Sequence, residues 1–510
     1  MAACGGSAGG GGGAGGGTLP PVPCCGCLCA DATWSCTKDT CLTPEGKAEK
    51  LIPEAGFFEL PGADYVSYDG PGQSPRARVW YSFQPAETDP ENKPLMIIFN
   101  GPPGPALGVL AFNIGHYTFD SDYTSGADFA DNPSRWTDFA NLLYVDTPGG
   151  GYSYFLPRAD GSTPAVDWDA YADAADFLRV LFRFAERHPQ LAKSEILITG
   201  ESGGGLRASH IGKILLDYPT LVAGGRYQDP ELYAEIVAFL GSRRTDIAAT
   251  DWKPADIVEL LTHLVLIDPY LSSNQWKNLT TLQMMPPAGC VPNPDVLQCD
   301  VTEAQFQPVF DHLVRVGTDP AILSQVLRSD MTSIEWMHAS ARAGAYERHE
   351  RLKSSVIDQT KLVEVFGALE KGDSYFVFDA ANIHETWDIG PAPVFPENVE
   401  HGPTVLRTLY DIPTIITNGQ YDLAFNSQFL DDAFAPYTDV LTSATHDLTQ
   451  PSGVARPGQL VLVYKDVAYG PAATKVIPLP AYAAGHSVSH GSPAELKADV
   501  ASFVTTSALP

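Results

Sequence analysis

Short runs of consecutive apolar residues recur along the chain, and longer stretches with helical spacing of apolar residues separate them. Continuous apolar runs of about four to eight residues are typical of strands that helices bury on both faces. Such strands are predicted at 77–83, 95–99, 141–146, 195–199, 263–268, 414–417 and 460–465. A predicted helix at 168–189 precedes the fourth of them. This alternation predicts an α/β fold with a largely parallel sheet.

Two regions depart from the alternation and define the predicted domains. The chain starts with a nearly pure glycine segment at 5–17, which is typical of a flexible tether, and a cysteine-rich stretch follows. The strand pattern also lapses after Pro269, where the apolar spacing is helical. We therefore predict a tail at 1–45, an α/β core at 46–268 and 403–510, and a mainly helical cap insertion at 269–402.

The formal charge of −29, from 61 acidic and 32 basic residues, argues against nucleic acid as a partner, because phosphate binding needs a basic surface. An acidic, solvated surface that keeps the protein soluble is the simpler interpretation. No apolar run approaches the roughly 18 residues that span a bilayer. No metal site or cofactor is predicted, and the sequence does not indicate an oligomeric state.

The start of the chain offers a candidate lipid anchor. Ala2-Ala3-Cys4 resembles the end of a bacterial lipoprotein signal, where the cysteine is lipidated and an apolar leader has been removed ahead of it. On that interpretation Cys4 carries lipid and the protein is attached to a membrane. The alternative is a chance Ala-Ala-Cys sequence.

Six further cysteines cluster in the tail, at positions 24, 25, 27, 29, 36 and 41. A short segment that cannot build a core is often held by disulfides, although metal binding is the alternative. The segment contains no histidine and lacks a zinc-ribbon spacing, which favours disulfides. The expected location is therefore the cell envelope or the exterior.

One Gly-x-Ser-x-Gly sequence has the context of a catalytic serine. Ser202 follows the predicted strand at 195–199 and precedes a predicted helix. A serine in such a tight strand-to-helix turn is a nucleophile elbow, where flanking glycines avoid clashes. The same pattern around Ser7 lies inside the glycine tether and has neither neighbour. Ser202 is the candidate nucleophile. The residues expected on the buried side of the following helix are Ala208, Ile211, Ile214 and Leu215.

A serine hydroxyl needs a base and an orienting acid, which follow in the order serine, acid, histidine in this type of fold. Asp422 follows the strand at 414–417 and an Asn-Gly turn. His486 follows Ala-Gly and precedes a predicted terminal helix, and His490 is a nearby alternative.

Five blocks, in order, resemble the serine carboxypeptidase family of the α/β-hydrolase superfamily. They are "FNGPPG" (99–104), "DNPSRWTDFANLLYVDTPGGGYSY" (131–154), "ITGESGG" (198–204), "NGQYD" (418–422) and "AGH" (484–486). The resemblance covers most of 60–505 except the insertion. It implies an α/β-hydrolase fold, with a mostly parallel central sheet flanked by helices and a helical cap. It also implies Ser202 as nucleophile, Asp422 as orienting acid and His486 as general base.

The same resemblance implies a site for the C-terminal carboxylate of a substrate. In the family this group is held by residues that correspond to Asn100, Gly101 and Glu201. A protonated glutamic acid can donate to a carboxylate, whereas an ionised one repels it, so we expect a preference for mildly acidic pH. The alternative role of Glu201 is to satisfy the turn beside Ser202.

The chain also departs from the family. Pro102 stands where a glycine N–H helps to form the oxyanion hole, and proline has no N–H. The N–H of Gly203, just after the nucleophile, remains as a donor. Gly203 replaces a family aromatic residue, which is expected to open the pocket beside Ser202.

The expected function is that of an envelope serine carboxypeptidase, which acts on peptides with a free C-terminus through an acyl-enzyme. Two alternatives remain. The same triad can catalyse acyl transfer or ester hydrolysis, or the chain can be a tethered binding protein that Pro102 leaves weakly active.

Overall fold

The structure is a computed structural model. It describes residues 48, 50–67, 70–101, 114–119, 129–162, 169–247, 252–253, 256–257, 259–269, 292–293, 298–299, 412–419, 459–464, 489 and 493–506. The tail at 1–45 and almost all of the insertion at 269–402 lie outside these residues, so both stay predictions.

The strands of the described residues are, in chain order, β1 (Glu54–Leu60), β2 (Ala63–Ser67), β3 (Gly70–Ser74), β4 (Ala77–Gln84), β5 (Leu95–Asn100), β6 (Tyr117–Phe119), β7 (Phe129–Asp131), β8 (Asn141–Val145), β9 (Tyr154–Phe155), β10 (Ile196–Glu201), β11 (Tyr227–Gln228), β12 (Leu261–Ile267), β13 (Pro292–Asn293), β14 (Gln298–Cys299), β15 (Thr414–Gly419) and β16 (Gln459–Tyr464). The helices are α1 (Ala170–Arg187), α2 (Gly204–Ala223), α3 (Pro230–Arg243) and α4 (Pro493–Thr506). Short 3-10 turns lie at Pro90–Asn92, Trp136–Asp138 and Pro189–Leu191.

A nine-stranded sheet forms the centre, in the order β1-β4-β8-β5-β10-β12-β15-β16, with β9 paired to β4. β4 runs antiparallel to β1, β8 and β9, and every pair from β8 to β16 is parallel. All seven predicted strands are present, with ends that differ by two residues at most. The predicted α/β architecture, a mostly parallel central sheet flanked by helices, is confirmed. The carboxyl ends of its six parallel strands meet at one edge.

Helices cover both faces of the sheet. Apolar residues of α1, α2 and α3 form one core with the strand residues that face them, such as Ile97, Ile198 and Leu264. Successive strand residues point to opposite faces. His263, next to Leu264, therefore faces the other side, where its ring lies 5.2 Å from that of Phe503 in α4.

The predicted helix at 168–189 is confirmed as α1. Its N-cap is Asp169, whose carboxylate accepts from the N–H groups of Tyr171 and Ala172 at 2.9 Å each. The predicted buried side of the helix after Ser202 is also confirmed, since Ala208, Ile211, Ile214 and Leu215 of α2 are all buried.

β1 was not predicted, because two glutamates and a glycine interrupt its apolar pattern. Glu54 is nevertheless fully buried, and it accepts from Tyr81 while lying 3.0 Å from His188 and 3.5 Å from Arg187. Burial alone would raise the pKa of Glu54, but His188 and Arg187 outweigh it and lower the pKa to about 2. This charge cluster joins β1 to the end of α1.

None of the helices in the described part of the chain has the length and hydropathy needed to cross a membrane.

Candidate active site

The turn at Ser202 has the geometry of the predicted nucleophile elbow. β10 ends at Glu201, α2 begins at Gly204, and Ser202 between them has a φ of 59°. This left-handed conformation costs a residue with a Cβ roughly 1–2 kcal/mol. Two hydrogen bonds of 2.9 Å hold the turn, from the Ser202 N–H to the carbonyl of Ile267 and from the Gly205 N–H to the carbonyl of Ser202. Strain maintained in this way is common at functional sites.

The glycines around Ser202 are required by close backbone packing. A Cβ at Gly200 would lie 2.1 Å from the carbonyl oxygen of Gly204. A Cβ at Gly204 would lie 2.9 Å from the carbonyl oxygen of Phe99, on the neighbouring strand β5. Any side chain at these positions would therefore force the turn apart.

The start of α2 provides a positive electrostatic environment beside the serine. The first N–H groups of a helix have no partner within it, and the helix dipole places partial positive charge there. Gly203, the predicted oxyanion donor, is the N-cap of α2. Ser202 and Gly203 are partly exposed, so a substrate can reach them.

The three residues predicted to bind a carboxylate meet at the same edge of the sheet. Asn100 and Glu201 are register partners at the ends of β5 and β10. Glu201 directly precedes Ser202 in the chain and is buried, with 6% of its surface exposed. Gly101 follows Asn100, and its N–H donates to Asn100 Oδ1 at 2.7 Å. A Cβ at Gly101 would lie 2.3 Å from the Cα of Gly203, so this loop packs directly on the elbow.

A buried arginine that the sequence analysis did not single out connects these parts. Arg207 lies one turn after the elbow and is 2% exposed. Its Nε and Nη2 donate to both carboxylate oxygens of Asp173 at 2.6 and 2.9 Å. Nη1 donates to the carbonyl of Asn100, and Nη2 also donates to Thr147 Oγ1 at 3.2 Å. The available signal in the sequence was a charge between apolar Leu206 and Ala208.

The neighbouring ionisable groups are shifted by burial. Burial raises the pKa of the Asp173 carboxyl, and the Arg207 guanidinium opposes that rise. Burial also lowers the pKa of His210 to about 4, so this imidazole is neutral at neutral pH. His210 Nδ1 lies 2.8 Å from the carbonyl of Leu206, and the ring packs edge-on against Tyr171. His210 therefore has a packing role in α2.

Asp422, His486, the alternative His490, Pro102 and Cys4 lie outside the described residues. Their roles stay predictions. β15, which precedes Asp422, ends at Gly419 on the same edge as β10 and two strands away from it. At a spacing of about 4.8 Å between strands, the two strand ends are about 10 Å apart. α4, which follows His486, packs on β15.

Comparison with known proteins places a family match over the elbow. The model of the serine carboxypeptidase family matches residues 58–221. Serine carboxypeptidase-like 44 of Arabidopsis thaliana is 30% identical over 195 residues, which are 36% of this chain and 38% of that protein. Probable serine carboxypeptidase CPVL of Rattus norvegicus is 27% identical over 329 residues, which are 56% of this chain and 64% of that protein.

Two solved structures are also similar. One is Kex1Δp, a prohormone-processing carboxypeptidase from Saccharomyces cerevisiae, with a TM-score of 0.43, 13% identity, and coverage of 91% of this chain and 93% of that one. The other is esterase E22, with a TM-score of 0.36, 12% identity, and coverage of 89% and 100%.

The sequence matches span about a third of the Arabidopsis relative and less than two thirds of the rat relative. The part matched by the family model includes the elbow, the Asn100–Gly101 loop and Arg207. Residues 58–221 of this chain thus match the serine carboxypeptidase family.

Proposed function

We propose that the protein is a serine carboxypeptidase, which hydrolyses the C-terminal peptide bond of a peptide through an acyl-enzyme. One observation carries this proposal: the strained turn at Ser202 lies at the edge of the sheet where Asn100 and Glu201 are register partners. A nucleophile and a carboxylate-binding pair on adjacent strand ends fit a substrate with a free C-terminus. The match of 58–221 to the serine carboxypeptidase family supports the same conclusion.

In this mechanism Ser202 Oγ attacks the carbonyl carbon of the last peptide bond while His486 accepts the hydroxyl proton. Asp422 orients the imidazole and stabilises its charged form. The oxyanion of the tetrahedral intermediate accepts a hydrogen bond from the Gly203 N–H. The partial positive charge at the start of α2 also stabilises it. His486 then protonates the leaving amine, and water hydrolyses the ester by the same route.

The carboxylate of the substrate selects the terminal residue. Asn100 and Gly101 donate to it, and a protonated Glu201 donates a further hydrogen bond. An ionised Glu201 would repel the carboxylate, so binding weakens as pH rises. Mildly acidic conditions are therefore favoured for peptide hydrolysis.

We further propose a location at the cell envelope, with lipid on Cys4 and disulfides among the cysteines of the tail. The Ala2-Ala3-Cys4 sequence and the cysteine cluster support this. Deletion of 1–41 should leave serine labelling and melting temperature nearly unchanged, because the tail supplies none of the strands or site residues. A large fall in melting temperature would show that the tail packs on the core.

Labelling with a fluorophosphonate tests the proposed chemistry, since this probe reacts covalently with activated serines. We expect rapid labelling of the parent protein and none of Ser202→Ala or His486→Ala. Ser7→Ala, in the second Gly-x-Ser-x-Gly sequence, is the matched control and should be labelled at the parent rate. Undiminished labelling of Ser202→Ala would overturn the assignment of the nucleophile.

A further inference from the structure

We propose that Arg207 is a positioning residue that orients the Asn100–Gly101 peptide group and so sets the affinity for the substrate carboxylate. The inference rests on the proposed carboxypeptidase function. It gives a role to a buried charge that the triad and the oxyanion hole do not use.

The planarity of the peptide bond couples the Asn100 carbonyl to the Gly101 N–H. Arg207 Nη1 donates to the carbonyl oxygen of Asn100. A trans peptide group is planar, and its N–H points opposite to its carbonyl. Holding the Asn100 carbonyl on the α2 side therefore fixes the direction of the Gly101 N–H, which is one of the predicted carboxylate donors. In this structure that N–H donates to the acceptor Asn100 Oδ1 at 2.7 Å, and a substrate carboxylate would take the place of this acceptor.

The position of Arg207 itself is fixed from several sides. Its guanidinium binds both oxygens of Asp173 on α1 and reaches Thr147 in the loop after β8. Its Cζ lies 3.9 Å from the centroid of the Phe177 ring and 5.4 Å from that of Phe99. The planar guanidinium provides several donors in one rigid group, which lysine cannot match. The peptide group therefore has a single preferred orientation.

Stability alone does not explain this pair. Burying two charges is costly, and well-packed apolar residues in their place are often neutral or stabilising. A second buried ion pair serves as a control for the effect of burial. Arg179 on α1 donates to Asp229 at 2.7 Å, and its side chain is only 2% exposed. Arg179 lies six residues beyond Asp173, or about 9 Å further along the helix.

Binding without turnover separates the positioning role from catalysis. On a Ser202→Ala background, calorimetry measures the dissociation constants of an N-blocked dipeptide and of its C-terminal amide. Replacing the pair together, as Arg207→Met with Asp173→Asn, avoids an unpaired buried charge. We expect this double variant to lose about tenfold in affinity for the free acid, which is the effect of one hydrogen bond to a charged group. Affinity for the amide should change less than about threefold.

Two further variants complete the test. Arg207→Lys keeps the charge and should recover part of the preference for the acid, whereas Arg179→Lys should leave it unchanged. A parallel loss of affinity for acid and amide, or an unchanged ratio in the double variant, would overturn the positioning role. A parent that binds acid and amide equally would also overturn it. Failure of the parent to react with a fluorophosphonate is a separate result, which would refute the proposed hydrolysis. The ratio of the dissociation constants for acid and amide would still test the positioning role of Arg207.

Discussion

Gly101→Ala is the substitution that most directly perturbs the contact between the Asn100–Gly101 loop and the elbow. A Cβ at this position would lie 2.3 Å from the Cα, 2.5 Å from the nitrogen and 2.7 Å from the carbonyl carbon of Gly203. These are backbone atoms at the start of α2, so no flexible side chain can move aside. Either the Asn100–Gly101 loop or the elbow has to shift.

The size of the shift follows from these distances. Ordinary van der Waals contact begins at 3.4 Å, so the closest contact of 2.3 Å is short by about 1.1 Å. A misplacement of about 1 Å in an active site can cost about 10²-fold in rate, or roughly 2.7 kcal/mol. We therefore expect kcat/KM of Gly101→Ala to fall about 100-fold for an activated ester. Overpacking should also destabilise the fold by about 1–3 kcal/mol.

A graded series of alanine substitutions provides the assay. Ester hydrolysis and fluorophosphonate labelling are measured together with urea unfolding for Gly101→Ala, Gly204→Ala and Gly241→Ala. The Cβ of Gly204→Ala would meet a carbonyl at 2.9 Å, so its loss should be smaller. Gly241 in α3 has no atom within 4 Å of a new Cβ, and Gly241→Ala should keep full activity.

The order of effects decides whether this explanation is correct. If folded Gly101→Ala keeps its activity within about threefold of the parent, the loop does not press on the elbow as the structure shows. Equal losses in Gly101→Ala and Gly241→Ala would indicate a general loss of folded protein instead.

Three further predictions concern pH and the oxyanion hole. Glu201→Gln should flatten the fall in peptide hydrolysis between mild acid and neutral pH, because an amide donates at every pH; parallel pH profiles would contradict this. Pro102→Gly should raise kcat with little change in KM, since one oxyanion donor is worth roughly 10²–10³ in rate; a parent that is already fast and a variant with no gain would refute it. Glu54→Gln should lower stability at neutral pH by a few kcal/mol, because the pKa of Glu54 is lowered to about 2 and its ionised form stabilises the fold above about pH 4.5. The gap in unfolding free energy between parent and Glu54→Gln should narrow as pH falls from about 4.5 to 2, and a constant gap would contradict the role of His188 and Arg187.

Local patterns in the sequence predicted the centre of the fold well. The seven predicted strands are all present because strands buried on both faces are continuous apolar runs, which can be recognised without knowing their neighbours; six of the seven are parallel, and β4 is antiparallel. The elbow was predictable for a similar reason, since its strand, turn and helix are consecutive in the chain. The missed helix α3 carried a usable signal, because Asp229 is its N-cap and accepts from the Leu232 N–H while Pro230 opens the helix.

Pairing between distant residues accounts for what the sequence could not predict. Arg207 and Asp173 are 34 residues apart, and their contact exists only because α1 and α2 pack side by side on the sheet. Glu54 is buried for the same kind of reason, since its partners Arg187 and His188 come from the end of α1. A charge within an apolar stretch indicates a partner, but it does not identify that partner.

The central claim is that Ser202 and the Asn100–Glu201 pair act together on a free C-terminus. The most direct measurement compares the release of the terminal residue from an N-blocked dipeptide with hydrolysis of the corresponding C-terminal amide, by mass spectrometry at mildly acidic pH. The proposed function predicts turnover of the free acid by the parent, much slower turnover of the amide, and neither reaction with Ser202→Ala. Equal turnover of acid and amide, or release of the terminal residue by Ser202→Ala, would contradict it.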